Sequence, residues 1–227
     1  MKAQVFIISL GGSLVVPEEI DFKFLKRFKD LIEKEIKRGK KFIIIVGGGK
    51  TARKYQQVAK KLTQVSNEDL DWLGIHATRI NAHLLLTIFR KNSYYRIIKN
   101  PKEKVNFKEK ILIAAGWKPG FSTDYDAVLL AKTYKSNTII NLTNINYVYN
   151  KDPNKFENVK PLKKIRWKDY LRLIDGKWFP GMSAPFDPLA SKLAYKLKLN
   201  VIILNGKHLQ NLEIYLSKKI IKGTLIF

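Results

Sequence analysis

Runs of branched apolar residues that stop abruptly at a ligand-sized turn constrain this sequence more than any other feature. Val5–Leu10 runs into Gly11-Gly12-Ser13, and Phe42–Val46 into Gly47-Gly48-Gly49. Ile111–Ala115 runs into Gly116, and Thr138–Leu142 into Thr143-Asn144. An unbroken β-branched run is the mark of a strand covered on both faces, the usual condition in a parallel sheet. Between these runs the period changes to that of a helix. Phe24, Phe28, Leu31, Ile32 and Glu35/Ile36 trace one face after Asp21, a predicted N-cap, and Gly39 ends that helix.

The same rhythm continues to the last residues. Thr51–Leu62 reads as a helix, and Asn67 to about Arg90 as a longer one with Leu70, Leu73, Ala77, Ile80 and Leu84 at helical spacing. Residues 91–110 are polar, basic and less regular, and Thr123–Tyr134 reads as a helix opened by Ser-Thr-Asp. A loop-rich stretch, 143–187, carries a short helix near Trp167–Ile174. Asp187 caps a helix over Pro188–Lys198, with Pro at its first position. Val201–Leu204, Leu209–Ser217 and Thr224–Phe227 then read as strand, helix and strand. Strands alternating with helices predict an α/β fold, a three-layer αβα sandwich on a mainly parallel central sheet. We expect a single domain over 1–227, with approximate lobes 1–110 and 111–227. Ligands of such sheets sit beyond the carboxyl ends of the strands.

Composition narrows the function classes. With 45% apolar and 11% aromatic residues the chain is expected to be globular. No apolar stretch approaches the roughly 20 residues that span a bilayer. Met1-Lys2-Ala3-Gln4 leads straight into a strand that ends in glycines, so no signal peptide is expected. Cys is absent, which excludes disulfides and thiolate metal sites. A cytoplasmic protein is expected. The net charge of +24 admits two readings, a nucleic-acid face or a Lys-rich solvated surface. Lys is scattered through every segment and forms no block, which favours the solvated surface over nucleic acid as partner.

Turns such as these are suited to phosphate. A glycine lets backbone N–H groups approach phosphate oxygens, and a helix N-terminus adds partial positive charge. Several turns at one edge of one sheet describe a phosphate-lined cleft. Two decoys lie in the second turn. Gly49-Lys50-Thr51 resembles the end of a Walker A loop, but that motif needs Gly where Ile44 stands. Gly47-x-Gly49-x-x-Ala52 fits a loose dinucleotide fingerprint, but the acids about 20 residues on (Glu68, Asp69, Asp71) fall in a predicted helix.

Longer motifs occur in order along nearly the whole chain. They are Leu10-Gly11-Gly12-Ser13, Val46-Gly47-Gly48-Gly49-Lys50 with Ala52-Arg53-Lys54-Tyr55, Thr78-Arg79-Ile80-Asn81-Ala82, Gly116-Trp117-Lys118-Pro119-Gly120-Phe121-Ser122-Thr123-Asp124, Leu142-Thr143-Asn144 with Val148-Tyr149 and Asp152-Pro153, and Pro185-Phe186-Asp187-Pro188. This set resembles the archaeal-type uridylate kinases of the amino-acid-kinase family, whose fold is carbamate-kinase-like. The Thr-Asn, Val-Tyr and Asp-Pro block resembles the family at large. The Pro-Gly-x-Ser-Thr-Asp turn and the Ala-Arg-Lys-Tyr and Thr-Arg-x-Asn-Ala helices resemble the UMP branch.

The resemblance implies a kinase that moves a phosphoryl group from ATP to UMP in pyrimidine nucleotide synthesis, with Mg²⁺ accompanying ATP. It implies UMP in the first lobe, at Gly48, Asp71 (ribose) and the turn Trp117, Lys118, Pro119, Gly120, Phe121, Ser122 and Thr123. It implies ATP along Ser9, Leu10, Gly11, Gly12, Ser13, Gly49, Arg53, Thr143, Asn144, Tyr149 and Asp152, with Tyr149 at the adenine side. A homohexamer built as a trimer of dimers, with helix 67–90 among its contacts, is also implied. One departure stands out, because many relatives carry Lys where this chain has Ser9. Lys50, Arg53 and Lys118 are the candidate replacement cations, and Lys50 and Arg53 the candidate catalytic residues. Each feature also has a plain reading: capping for Ser122-Thr123-Asp124 and Asp187, core packing for Tyr149, a solvated helix position for Asp71. Of the histidines, His76 reads as packed or exposed, and His83 and His208 have no metal-ligand spacing. Two other functions remain open: a kinase of the same fold for isopentenyl phosphate or acetylglutamate, and a non-catalytic basic nucleotide- or RNA-binding protein.

Overall fold

The computed structural model describes residues 5–151, 157–174 and 185–227. In chain order the elements are β1 (Val5–Leu10), α1 (Gly12–Val15), α2 (Phe22–Lys37), β2 (Lys41–Val46), α3 (Gly49–Leu62), α4 (Asn67–Ile88), β3 (Ile111–Ala114), α5 (Thr123–Thr133) and β4 (Thr138–Thr143). Three two-residue strands follow, β5 (Val148–Tyr149), β6 (Pro161–Leu162) and β7 (Lys164–Ile165). The chain closes with α6 (Trp167–Leu173), α7 (Pro188–Lys196), β8 (Asn200–Asn205), α8 (Leu209–Lys218) and β9 (Thr224–Ile226).

Seven strands form one sheet in the order β3-β2-β1-β4-β8-β9-β7. The first five run parallel, β9 is antiparallel to β8, and β7 runs parallel to β9. Strand side chains alternate across the sheet, so each strand feeds two cores. Phe6, Ile8 and Leu10, with Phe42, Ile44 and Val46, join residues of α2, α8 and the second half of α4 on one face. Ile7, Ile43, Ile45, Ile139 and Val201 join α5, α6 and α7 on the other. The result is the three-layer α/β sandwich expected from the alternation of periods.

Local chemistry explains where the elements start and stop. The Asp21 side chain accepts the Phe24 N–H at 2.8 Å and so begins α2. Gly39 takes φ +86° after it. Glu35 sits in the buried face of α2 with no exposed surface, and its two oxygens accept Arg38 and Lys40. Burial pushes its carboxyl up, but the Lys40 and Arg38 cations outweigh that and hold it below the usual carboxylate range. Among the described residues, no helix is long and apolar enough to cross a membrane.

Several boundaries and faces differ from the sequence reading. The four-residue α1 was not expected, because its Gly-Ser-Leu-Val has no period to detect. The 143–187 stretch contains the short strands β5, β6 and β7, each too brief for a recognisable alternation. In α4 the expected face included Ile80, which is 63% exposed. The buried ridge runs instead through Leu70, Ala77, Thr78, Asn81 and Leu85, so polar residues occupy core-facing places. β3, which begins just after residue 110, pairs with β2 at one edge of the sheet.

Replacing Asp21 by Ala is expected to cost about 1 kcal/mol through loss of the cap. For a domain of this size that lowers Tm by roughly 2–4 °C, which a calorimetric melt reads directly.

Candidate active site

Parallel register brings the turns after β3, β2, β1 and β4 to one edge of the sheet. The turns after β1 and β2 meet backbone to backbone. A Cβ on Gly12 would lie 2.2 Å from the Gly49 nitrogen, and one on Gly49 would lie 2.4 Å from the Gly12 oxygen. Gly49 also needs φ +64°, a conformation open chiefly to glycine. The Gly47 N–H donates to the Leu10 carbonyl at 2.9 Å, and the Gly11 N–H to the Leu142 carbonyl at 2.8 Å, which sews β1 to its neighbours beyond the strands. Asn81, on the buried ridge of α4, donates to the carbonyls of Gly47 (2.9 Å) and Gly48 (3.2 Å). No side chain caps α3, and of its first N–H groups that of Lys50 donates to the Val16 carbonyl at 2.9 Å.

The turn after β3 is pinned from two helices. The Gly116 N–H donates to Thr78 Oγ1 at 2.8 Å, and the Trp117 N–H to Asp126 Oδ2 at 3.0 Å. Gly120, at φ +85°, donates its N–H to Asp71 Oδ2 at 2.7 Å. Ser122 caps α5 by accepting the Tyr125 N–H at 3.2 Å.

Between these turns and helices lies a cavity of about 300 Å³. Of the residues singled out from the sequence, Gly12, Ser13, Gly48, Gly49, Arg53, Asp71, Phe121, Ser122 and Thr123 line it. Ser9 and Leu10 are buried at the end of β1, and Gly11 bridges to β4. Trp117, Lys118, Pro119 and Gly120 form the outer part of the turn. Thr143 and Asn144 stand at the end of β4, where the Gly206 N–H donates to the Thr143 carbonyl at 2.8 Å. Tyr149 is half-buried in β5, and Asp152 lies outside the described residues. His76 is exposed, against the ring of Trp72.

The three candidate cations are placed very differently. Arg53 lines the cavity and is the one cation among its described lining residues. Lys50 pairs with Glu18 at 2.9 Å, and that hydrogen bond holds the Glu18 carboxyl below its usual range. The Lys118 ammonium rests over the rings of Trp117 (4.5 Å) and Phe121 (5.5 Å).

Gln56, Gly74, Ile75, Thr78, Gly116, Asp124, Asp187 and Pro188 also line the cavity, and none of them is among the site residues expected from the sequence. Asp187 was read as a cap and is one, accepting the Ala190 N–H at 2.7 Å, yet it also borders the cavity. The signal for Thr78 and Asn81 was available: polar residues on the buried stripe of a helix need a polar partner.

Ser9 does not leave an empty place where relatives carry Lys. Its hydroxyl donates to Asp124 Oδ1 at 3.0 Å, while Asp124 Oδ2 accepts the Asp187 N–H at 3.2 Å. Burial, and then the neighbouring Asp187 carboxylate, push Asp124 up to about 7. Burial likewise raises Asp187 and Asp71. Asp126 is fully buried and is pushed up by burial to about 8.

From the ordinary 3.8 up to about 8, folded Asp126 therefore holds a proton that the unfolded chain has released. Stability must fall as pH rises through that window. Asp126→Asn keeps an acceptor for the Trp117 N–H and removes the titration. Its Tm is expected to decline less than that of the parent between pH 5 and 8; equal slopes in the two melts would refute the assignment.

Comparison with known proteins places this geometry among relatives. The model of the family described as the amino acid kinase family matches residues 4–205. A uridylate kinase of Methanocaldococcus jannaschii is 34% identical over 224 residues, covering 97% of this chain and 98% of that one. One from Methanobrevibacter smithii is 32% identical over 209 residues, covering 91% and 92%. The crystal structure of uridylate kinase from Archaeoglobus fulgidus superposes with a TM-score of 0.81 at 27% identity, covering 99% of this chain and all of that one. The UMP kinase structure from Bacillus anthracis, at 20% identity and a TM-score of 0.79, shares the fold.

Proposed function

We propose that this chain, which belongs to the amino acid kinase family, is a UMP kinase that converts ATP and UMP to ADP and UDP. The observation that carries this reading is the full-length similarity to uridylate kinases, together with a cavity bounded by three glycine turns, one cation and Asp71. In that reading the uncapped start of α3, with Gly48 and Gly49, and the start of α5, with Ser122 and Thr123, hold the phosphate of UMP. Asp71 accepts from the ribose hydroxyls. ATP lies along the β1 turn and the ends of β4 and β5, with Thr143, Asn144 and Tyr149 on its nucleoside side.

The reaction needs no covalent intermediate on the protein. An oxygen of the UMP phosphate attacks the γ-phosphorus in line. The bond from that phosphorus to the bridging oxygen breaks, and its electron pair leaves with ADP. The protein contributes orientation and positive charge. With Ser9 engaged by Asp124, Lys50 by Glu18 and Lys118 by aromatic rings, Arg53 is the cation that meets the transferring group. Mg²⁺, the expected companion of ATP, would neutralise donor phosphate charge when bound. Asp124 and Asp187, whose carboxyls crowd one another at the cavity wall, are the oxygen donors this end offers it directly or through water.

A homohexamer arranged as a trimer of dimers, a cytoplasmic location and a role in supplying UTP and CTP complete the proposal. Tyr55, Val58 and Leu62 on α3 and Ile80 on α4 are exposed apolar residues that a neighbouring subunit would cover.

In a coupled assay with ATP and Mg²⁺, UMP is expected to be the preferred acceptor; absence of UMP turnover would reject the reading. Arg53→Ala should lower kcat/KM for UMP by ~10²-fold or more, as loss of a charge aimed at the transition state does. Lys50→Ala should cost less than about tenfold, because its ion pair is a partly exposed one.

A further inference from the structure

Gln56 stands one helical turn beyond Arg53 on α3 and lines the same cavity. Its Nε2 donates to the Leu70 carbonyl at 2.8 Å, so a backbone group of α4 orients the amide. That leaves Oε1 as an acceptor with no partner among the described residues. Leu70 precedes Asp71, which holds the Gly120 N–H, and the next residue of the turn, Phe121, also lines the cavity. The Phe121 ring stacks with Trp117 at 5.7 Å and 24° and with Tyr125 at 4.4 Å and 28°. Lys118 and Lys102 rest over the ring of Trp117 at 4.5 Å and 5.0 Å. A ring stacked with two neighbours is held in place at the cavity wall.

We infer that Gln56 and Phe121 read the base of the nucleotide acceptor: Gln56 Oε1 accepts the N3–H of uracil, and the stacked Phe121 limits the space to a single ring. The inference rests on the UMP reading above. Uracil carries a hydrogen on N3. Cytosine presents a lone pair there, which would face the lone pairs of Oε1. A site built to pair with a particular donor rejects an analogue that lacks it far more strongly than a pocket rejects an extra methylene. Purines fail for a different reason, since their second ring would collide with Phe121.

The test compares kcat/KM for UMP, CMP and AMP in the parent, Gln56→Leu and Phe121→Ala, with ATP and Mg²⁺. Protection of Tm by each monophosphate without ATP supplies a readout independent of turnover. Gln56→Leu is expected to lower the UMP-to-CMP ratio at least tenfold, chiefly through loss of UMP activity. Phe121→Ala is expected to lower the UMP-to-AMP ratio at least tenfold. If either variant fails to fold, Gln56→Glu and Phe121→Leu decide the same points: the carboxylate keeps an acceptor and must keep the preference for UMP over CMP, and Leu must keep more discrimination against AMP than a small side chain allows. Equal losses for all three monophosphates, with unchanged ratios and unchanged relative thermal protection, would overturn the inference. A parent that does not phosphorylate UMP would instead reject the proposed function itself, so the two failures are separable.

Discussion

The side-chain-free contact between the backbone of Gly12 and that of Gly47 and Gly49 is the constraint on which the rest depends. At 2.2 Å from the Gly49 nitrogen there is no room for a Cβ on Gly12, so the two turns touch without intervening side chains. That contact follows from the in-register pairing of β1 with β2, which delivers Leu10 and Val46 to the same height before either chain turns. It also fixes the relative entry of α1 and α3, because Lys50 donates its N–H to the Val16 carbonyl at 2.9 Å. At this contact the two turns are therefore backbone held by other backbone. Side chains add refinement from outside, as Asn81 does on the carbonyls of Gly47 and Gly48.

Charge is distributed in a way that composition alone would misstate. The chain carries a net +24, yet among the described residues the cavity wall holds three acids, Asp71, Asp124 and Asp187, against one cation, Arg53. Burial raises all three carboxyls. Lysines nearby are diverted, Lys50 and Lys54 to Glu18 and Glu19, and Lys118 to the aromatic stack. A highly basic protein thus keeps the wall of this cavity from being indiscriminately basic.

Much of this was legible in the sequence, and the parts that were not have physical reasons. The β-branched runs announced the buried strands, since a strand covered on both faces has no polar side to show. Asp21, Ser122 and Asp187 announced helix starts, since a short side-chain oxygen before a periodic run has one obvious use. What escaped notice was the double duty of Asp187, a cap that is also a wall, because capping chemistry already accounts for its residue type. Gln56 escaped because it looks like a solvated helix residue until the Leu70 carbonyl is seen to take its amide. Ile80 misled because hydropathy placed it on a face whose actual ridge carries Thr78 and Asn81, polar residues with backbone partners. Periodicity counts apolar atoms, and a helix that braces two glycine turns does so with polar ones.

The order of strands in the sheet has a further consequence, for how the molecule is made. Strand β7 finds its partner only in β9, with Lys164 meeting Leu225, and the Trp167 N–H waits for the Phe227 carbonyl at 2.8 Å. Tyr170, in the same helix as Trp167, exchanges hydrogen bonds with the backbone of Phe186, two residues before the start of α7. In chain order β1 to β4 are made before β7, α6 and α7, and β9 after all of them. The corner that contains α6, and through Phe186 the placement of Asp187, therefore waits for β9. A nascent chain of this kind would present its glycine turns early and complete one wall of the cavity late.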